Sequence, residues 1–149
     1  MANRNTSGFG LRAANMVGGQ ASVQGQQSYK IDAGHNANIF NGEFVKIDHG
    51  GTQGYIVGGQ GSAAQGIGVL NGIFFNAADT NKPTFSNFYK QPITPANSED
   101  IEAFVIDNPF QQYVVATDAA TTVNSFLITY DMNTSAGDTT TGKSSATLN

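Results

Sequence analysis

The chain contains no cysteine and no tryptophan. Without thiols, disulfides and thiolate metal centres are excluded. Charge is scarce as well: Asp, Glu, Lys and Arg make up 12% of the residues, about half the usual share of a soluble domain. No apolar run approaches the length of a membrane span. Gly, Asn and Ser interrupt every short apolar run near the N-terminus, so a signal-peptide core is missing. The expectation is a protein made and kept, or assembled, in a cytoplasm. A formal net charge of −4 argues against a nucleic-acid binder.

What fills the space is small and polar: Gly, Ala, Ser, Thr, Asn and Gln, with 18 glycines that imply many turns and bulges. At 149 residues the chain is one domain, long enough to bury a sizeable core without staples. A surface rich in amides and hydroxyls and poor in charge suits packing against other protein, which points to an assembly component. Charge is also uneven. Arg4 and Arg12 are the only charged side chains before Lys30, and the first acid is Asp32.

Residues 1–27 are polar and Gly-rich with one apolar island at Phe9 and Leu11. They read as an extended N-terminal arm, either a free terminus or a segment that docks on a partner. In the docking reading Phe9 and Leu11 are anchors and Arg4 and Arg12 are polar clamps. Short apolar or alternating stretches follow at 28–32, 43–48, 54–58 and 66–75, separated by Gly-, Asn- and Asp-rich turns. Each reads as a strand, with a bulge or close backbone approach at Gly68 and Gly72. The stretch 101–118 reads as the centre of the core. Its two β-branched and aromatic runs flank Asp107-Asn108-Pro109-Phe110, and the pattern predicts a β-hairpin with Val105 facing inward. A last strand is expected over 125–130, followed by a polar loop or tail at 132–149. No segment keeps a helical period. The fold class is therefore all-β: a single β-barrel or β-sandwich domain over 28–131, carrying an N-terminal arm at 1–27.

Candidate chemistry is sparse. His35 and His49 each sit near an aspartate in a Gly-flanked turn, but a metal centre needs three or four convergent ligands. Glu99, Asp100 and Glu102 read as a strand entry and a solvated sheet face rather than a carboxylate pair across a cleft. The glycines at 58–61 lack the lysine and helix of a phosphate loop. Asp131, Asn133 and Asp138 do not have the spacing of a calcium-binding loop. No catalytic, cofactor-binding or metal-binding residue is predicted, and the protein is not expected to be an enzyme. Phe85, Phe88 and Tyr89 form an aromatic group that reads as core or contact surface, and in an exposed setting would suit sugar stacking.

Several stretches, taken in order, resemble a family of capsid decoration (cement) proteins of tailed bacteriophages, common among phages of aquatic bacteria. GFGLRAA at 8–14 is similar to the family's opening Phe-Gly-Leu-Arg. Residues 18–30 with 39–47 resemble its first strand pair. GIGVLNGIFFNAADTNKPTFSNFY at 66–89 is similar to its strand, Lys-Pro-Thr loop and aromatic segment. IEAFVIDNPFQQYVVATD at 101–118 resembles its Asp-Pro hairpin, and TTTGKSSATLN at 139–149 its late Thr-Gly loop. The chain departs from the pattern in lacking a Cys after Gly72 and a Trp near Phe88. Members also often continue beyond the position of Leu148 into strands that finish the barrel.

The resemblance implies a structural virion protein, decorating and stabilising the outer surface of a phage head by bridging major capsid protein subunits. It also implies a homo-oligomer, a trimer first and a dimer second. Arg4, Phe9, Leu11, Arg12, Phe85, Phe88 and Tyr89 are the expected capsid or subunit contacts. No cofactor, nucleic acid or membrane is expected. The competing reading is a carbohydrate-binding or fibre-associated β-module of a virion.

Overall fold

The computed structural model describes residues 8–21, 25–51, 54–59, 66–133 and 137–149. Eleven strands follow one another: β1 (Arg12–Met16), β2 (Gln27–Ile31), β3 (Phe44–Ile47), β4 (Ile56–Gly58), β5 (Gly66–Asn76), β6 (Pro83–Ser86), β7 (Ile101–Ile106), β8 (Gln111–Val114), β9 (Ala116–Thr117), β10 (Met132–Asn133) and β11 (Thr147–Leu148). Two single 3₁₀ turns, at Ala96–Ser98 and Val123–Ser125, are the only helical pieces among the described residues. The fold is all-β.

The largest sheet runs β2-β7-β5-β3-β4, with every pairing antiparallel. Strand β5 is its axis. One edge carries β7, and the other carries β3 and then β6 along successive stretches. A two-stranded ribbon, β1-β8, and a three-stranded sheet, β10-β11-β9, complete the domain. The sheets stack in a sandwich-like way and do not close into a barrel among the described residues.

The core lies against β5 and β7. Ile31, Val45, Ile56, Leu70, Ile73, Ile101, Ala103 and Val105 are buried in one cluster with Ile39 and Tyr89. Burial alternates along β7 as its sequence alternates, so Val105 faces inward. Against β7 the register of β5 shifts once. Leu70 pairs with Val105 and Gly72 with Phe104, leaving Asn71 as a bulged extra residue. The bulge lets Leu70 and Ile73, three positions apart, both reach the core. Gly68 approaches the backbone of β7 so closely that a Cβ there would lie 2.3 Å from the Ile106 carbonyl oxygen.

Two strand expectations fail. β7 and β8 are not a hairpin: β7 pairs with β2 and β5, and β8 pairs with β1. The turn chemistry read at 107–110 does form, with Asn108 Oδ1 accepting from the Phe110 N–H at 2.9 Å. It redirects the chain into a second sheet instead of folding it back. Residues 125–130 are not a strand either. They follow the Val123–Ser125 turn, and Leu127 adopts a left-handed backbone with φ of 60°.

Residues 137–149, read as a polar loop or tail, are knitted into the domain. Ser144 and Ala146 are buried, and β11 lies between β10 and β9. The Ser144 N–H donates to the Asn41 carbonyl and the Asn41 N–H to the Gly142 carbonyl, each at 2.9 Å.

Candidate functional site

The residues expected to make contacts do not form one surface. Arg4 lies outside the described residues. Phe9 is half-buried, and the Arg12 guanidinium stands over its ring at 5.1 Å. That is a cation–π arrangement, favourable by about 0.5–1 kcal/mol at an exposed site. Leu11 is half-buried, and its N–H donates to the Gly42 carbonyl at 2.9 Å. Arg12 is exposed and sits opposite Val114 in the ribbon. The described part of the arm thus lies along this chain's own body.

The three aromatics point to three places. Phe85 is 73% exposed on β6, with its ring 4.7 Å from that of Phe74. Phe88 stacks on Phe40 at 5.8 Å. Tyr89 is completely buried, and its hydroxyl donates to the His35 carbonyl at 2.7 Å. A side chain in that position supports the core and is closed to a partner.

A larger apolar surface lies where the sequence reading placed a strand. Val123 is 83% exposed, Phe126 is 75% exposed, and Leu127 and Ile128 are exposed beside them. This loop has internal order. The Thr122 N–H donates to Ser125 Oγ at 3.0 Å, and the Tyr130 hydroxyl donates to the Ser125 carbonyl at 2.8 Å. Left-handed backbone at a branched residue such as Leu127 costs on the order of 1–3 kcal/mol. Exposing four large apolar groups costs more. Both costs fall on the same six residues. Elsewhere, Val114 of the β1-β8 ribbon is exposed, as are Val17 and Phe110 at its end, where the Val17 N–H donates to the Phe110 carbonyl at 2.8 Å. Over residues 109–130, Asp118 is the only charged side chain. That run of neutral sequence was the available signal.

A second feature is a groove of about 340 Å³ between the arm and the sheet. Arg12, Lys143, Asn41 and Asn71 line it together with Leu11 and Ile106. The β5 bulge delivers Asn71 here, and the Asn41 side-chain amide donates to the Asn71 carbonyl at 2.7 Å. Arg12 and Lys143 also line an adjoining hollow of about 290 Å³ next to Phe9 and Asp138. The backbones meet tightly at one end. Gly10, with φ of 72°, would place a Cβ 2.6 Å from the Gly42 carbonyl oxygen, so only glycine fits.

Titration is shaped by local contacts. The Asp138 carboxyl is held below its ordinary range by the Thr140 N–H and the Thr141 hydroxyl. Asp100 is lowered by the Tyr55 hydroxyl and then by Lys30, whose ammonium lies 3.1 Å away. His35 is pushed down by burial, against the pull of Asp48 and Asp32. Among the described residues no three His, Asp or Glu side chains gather as a metal site would require. Nor is any described helix long and apolar enough to cross a membrane. No family model, no curated protein and no solved structure matches this chain.

Proposed function

We propose that this chain is a structural virion protein that decorates the outer surface of a tailed-phage head and bridges neighbouring major capsid protein subunits. The observation that carries the reading is the ordered apolar loop at 123–128. A loop that holds four large apolar side chains in water gains free energy when another protein covers it. Low charge and the resemblance of the sequence point the same way. A repetitive shell adds multivalency: contacts too weak to hold one copy become strong when several linked copies bind at once.

Sedimentation with heads of the encoding phage tests this reading. Wild-type protein should pellet with the heads. The double substitution Phe126→Ser and Leu127→Ser should keep the fold, because both side chains are exposed, and lose most of the occupancy. Burying one such side chain contributes about 1.5–3 kcal/mol, so removing two should weaken binding at least 100-fold. Full occupancy by the variant would overturn the assignment of the loop. Failure of the wild type to bind would overturn the reading as a whole.

A second reading, a carbohydrate-binding module of a virion, is favoured by Phe85. Its ring is exposed beside Phe74 on a strand, where a sugar face could stack. A glycan array separates the two readings.

A further inference from the structure

We propose that the groove between the arm and the sheet is a binding site for an acidic peptide segment of a partner protein. One carboxylate of that segment would sit between Arg12 and Lys143.

The charge pattern carries the assignment. The chain has 7 cationic side chains against 11 acidic ones. Two of those 7 line the same groove and the same adjoining hollow. Neither Arg12 nor Lys143 has a carboxylate partner among the described residues, where the single ion pair is Lys30 with Asp100. The nearest acids are already engaged. Asp138 accepts from the Thr140 N–H and the Thr141 hydroxyl, both at 2.9 Å. Asp107, next in the chain to the lining residue Ile106, accepts from the Tyr29 hydroxyl at 2.8 Å. Two cations line the hollow against the one carboxylate of Asp138, and a second carboxylate would balance the pair.

The size and the lining argue for a peptide over a free ion. The groove, about 340 Å³, carries the amides of Asn41 and Asn71 beside its two cations. Amides recognise a peptide backbone, and the cations recognise an acidic side chain. Arg12 is also pre-oriented. Its guanidinium rests over Phe9, which leaves its N–H edges free for the two-point contact that arginine makes with a carboxylate.

The site does not depend on the partner being a capsid shell, so its test is separate from sedimentation. The isotope-labelled full chain is titrated with the capped peptide Gly-Glu-Leu-Glu-Gly, with its Gln-for-Glu counterpart and with inorganic phosphate, and backbone amide shifts are followed. The expected result is saturable shifts at residues 11–13, 41–42 and 71 with the acidic peptide alone. Arg12→Gln and Lys143→Gln should each weaken binding about tenfold, the range of one charge-assisted hydrogen bond, and the double variant should abolish it. Arg12→Lys should recover part of the loss. Both side chains are exposed, and an otherwise unchanged spectrum verifies the fold. The proposal is overturned if the acidic peptide produces no saturable shift, if the Gln peptide binds equally, or if the double variant binds like wild type. It is also overturned if phosphate binds as tightly as the peptide.

Discussion

His35 shows how much can depend on one side chain. Its carbonyl accepts from Tyr89, its ring lies 5.4 Å from the Tyr89 ring, and its Nε2 is buried without a hydrogen-bond partner. Burial lowers its pKa, so folding favours the neutral imidazole. In the unfolded chain the group titrates near its ordinary value of about 6.5. Above that value both states are neutral and the stability is fully present. As pH falls through the window below it, the unfolded state takes up the proton first and stability is lost. Urea midpoints should therefore begin to drop as pH falls through about 6.5, and His35→Gln should flatten that slope. An equal slope in the variant would show that other groups carry it.

The same scale explains what was hidden in the aromatic segment. Phe85, Phe88 and Tyr89 look like one cluster in the sequence. However, β6 ends at Ser86, whose hydroxyl donates to the Phe88 carbonyl at 2.7 Å. That turn separates the three rings, and one of them becomes core. Tyr89 is held there from both sides, its N–H donating to the Ile39 carbonyl and its carbonyl accepting from the Ile39 N–H.

At the scale of elements, local patterns were legible and partners were not. The alternation in 101–106 located a core strand, and Val105 is fully buried as its position in that pattern requires. The turn signal at Asp107 to Phe110 was also real. What it could not disclose is that β7 and β8 each take a partner from the N-terminal segment. Tyr29 Oη to Asp107 Oδ2, 78 residues apart, is one of the contacts that decides it. Long-range pairing of this kind leaves no periodic trace. The strand expected over 125–130 was misread for a related reason. Phe126, Ile128 and Tyr130 alternate as a strand would, yet no strand among the described residues pairs with them.

The β5 bulge yields an element-scale prediction. Side chains alternate with period two along a strand, and the bulge already absorbs one extra residue, so inserting a second residue after Asn71 would push one half of β5 onto the wrong face. Either Leu70 or Ile73 would leave the core, at about 1.5–3 kcal/mol for each side chain. Thermal unfolding of the insertion variant should show a large loss of stability. Inserting a residue after Asp79 in the exposed turn before β6 should be nearly neutral by comparison. Similar melting curves for the two variants would mean that the register can slip without cost.

For the whole molecule, the distribution of charge matters more than its amount. An acidic chain repels its copies through its acidic faces, and the neutral stretch 109–130 is where two copies can approach. Its exposed apolar side chains then favour contact. Light scattering should show an oligomer, with a trimer as the first expectation. A strict monomer, both free and on particles, would sink this prediction.

The placement of residues 137–149 also bears on when the protein can fold. Strand β11 joins β9 to β10, and Ser144 and Ala146 fill buried positions beside the first described residues. A Cβ on Gly8 would lie 2.2 Å from the Ser145 carbonyl oxygen, so the two ends of the described chain touch. That contact cannot form until every residue between the two has been synthesised. The sheet around β5 can assemble before residues 137–149 are made, while the β10-β11-β9 sheet and the docking of Gly8 and Gly10 wait for them. Contacts of such sequence separation slow folding. Until they close, the neutral loop and the groove are carried on an unfinished scaffold. The surfaces that this protein offers to others therefore mature only once residues 137–149 are in place, which separates making them from using them.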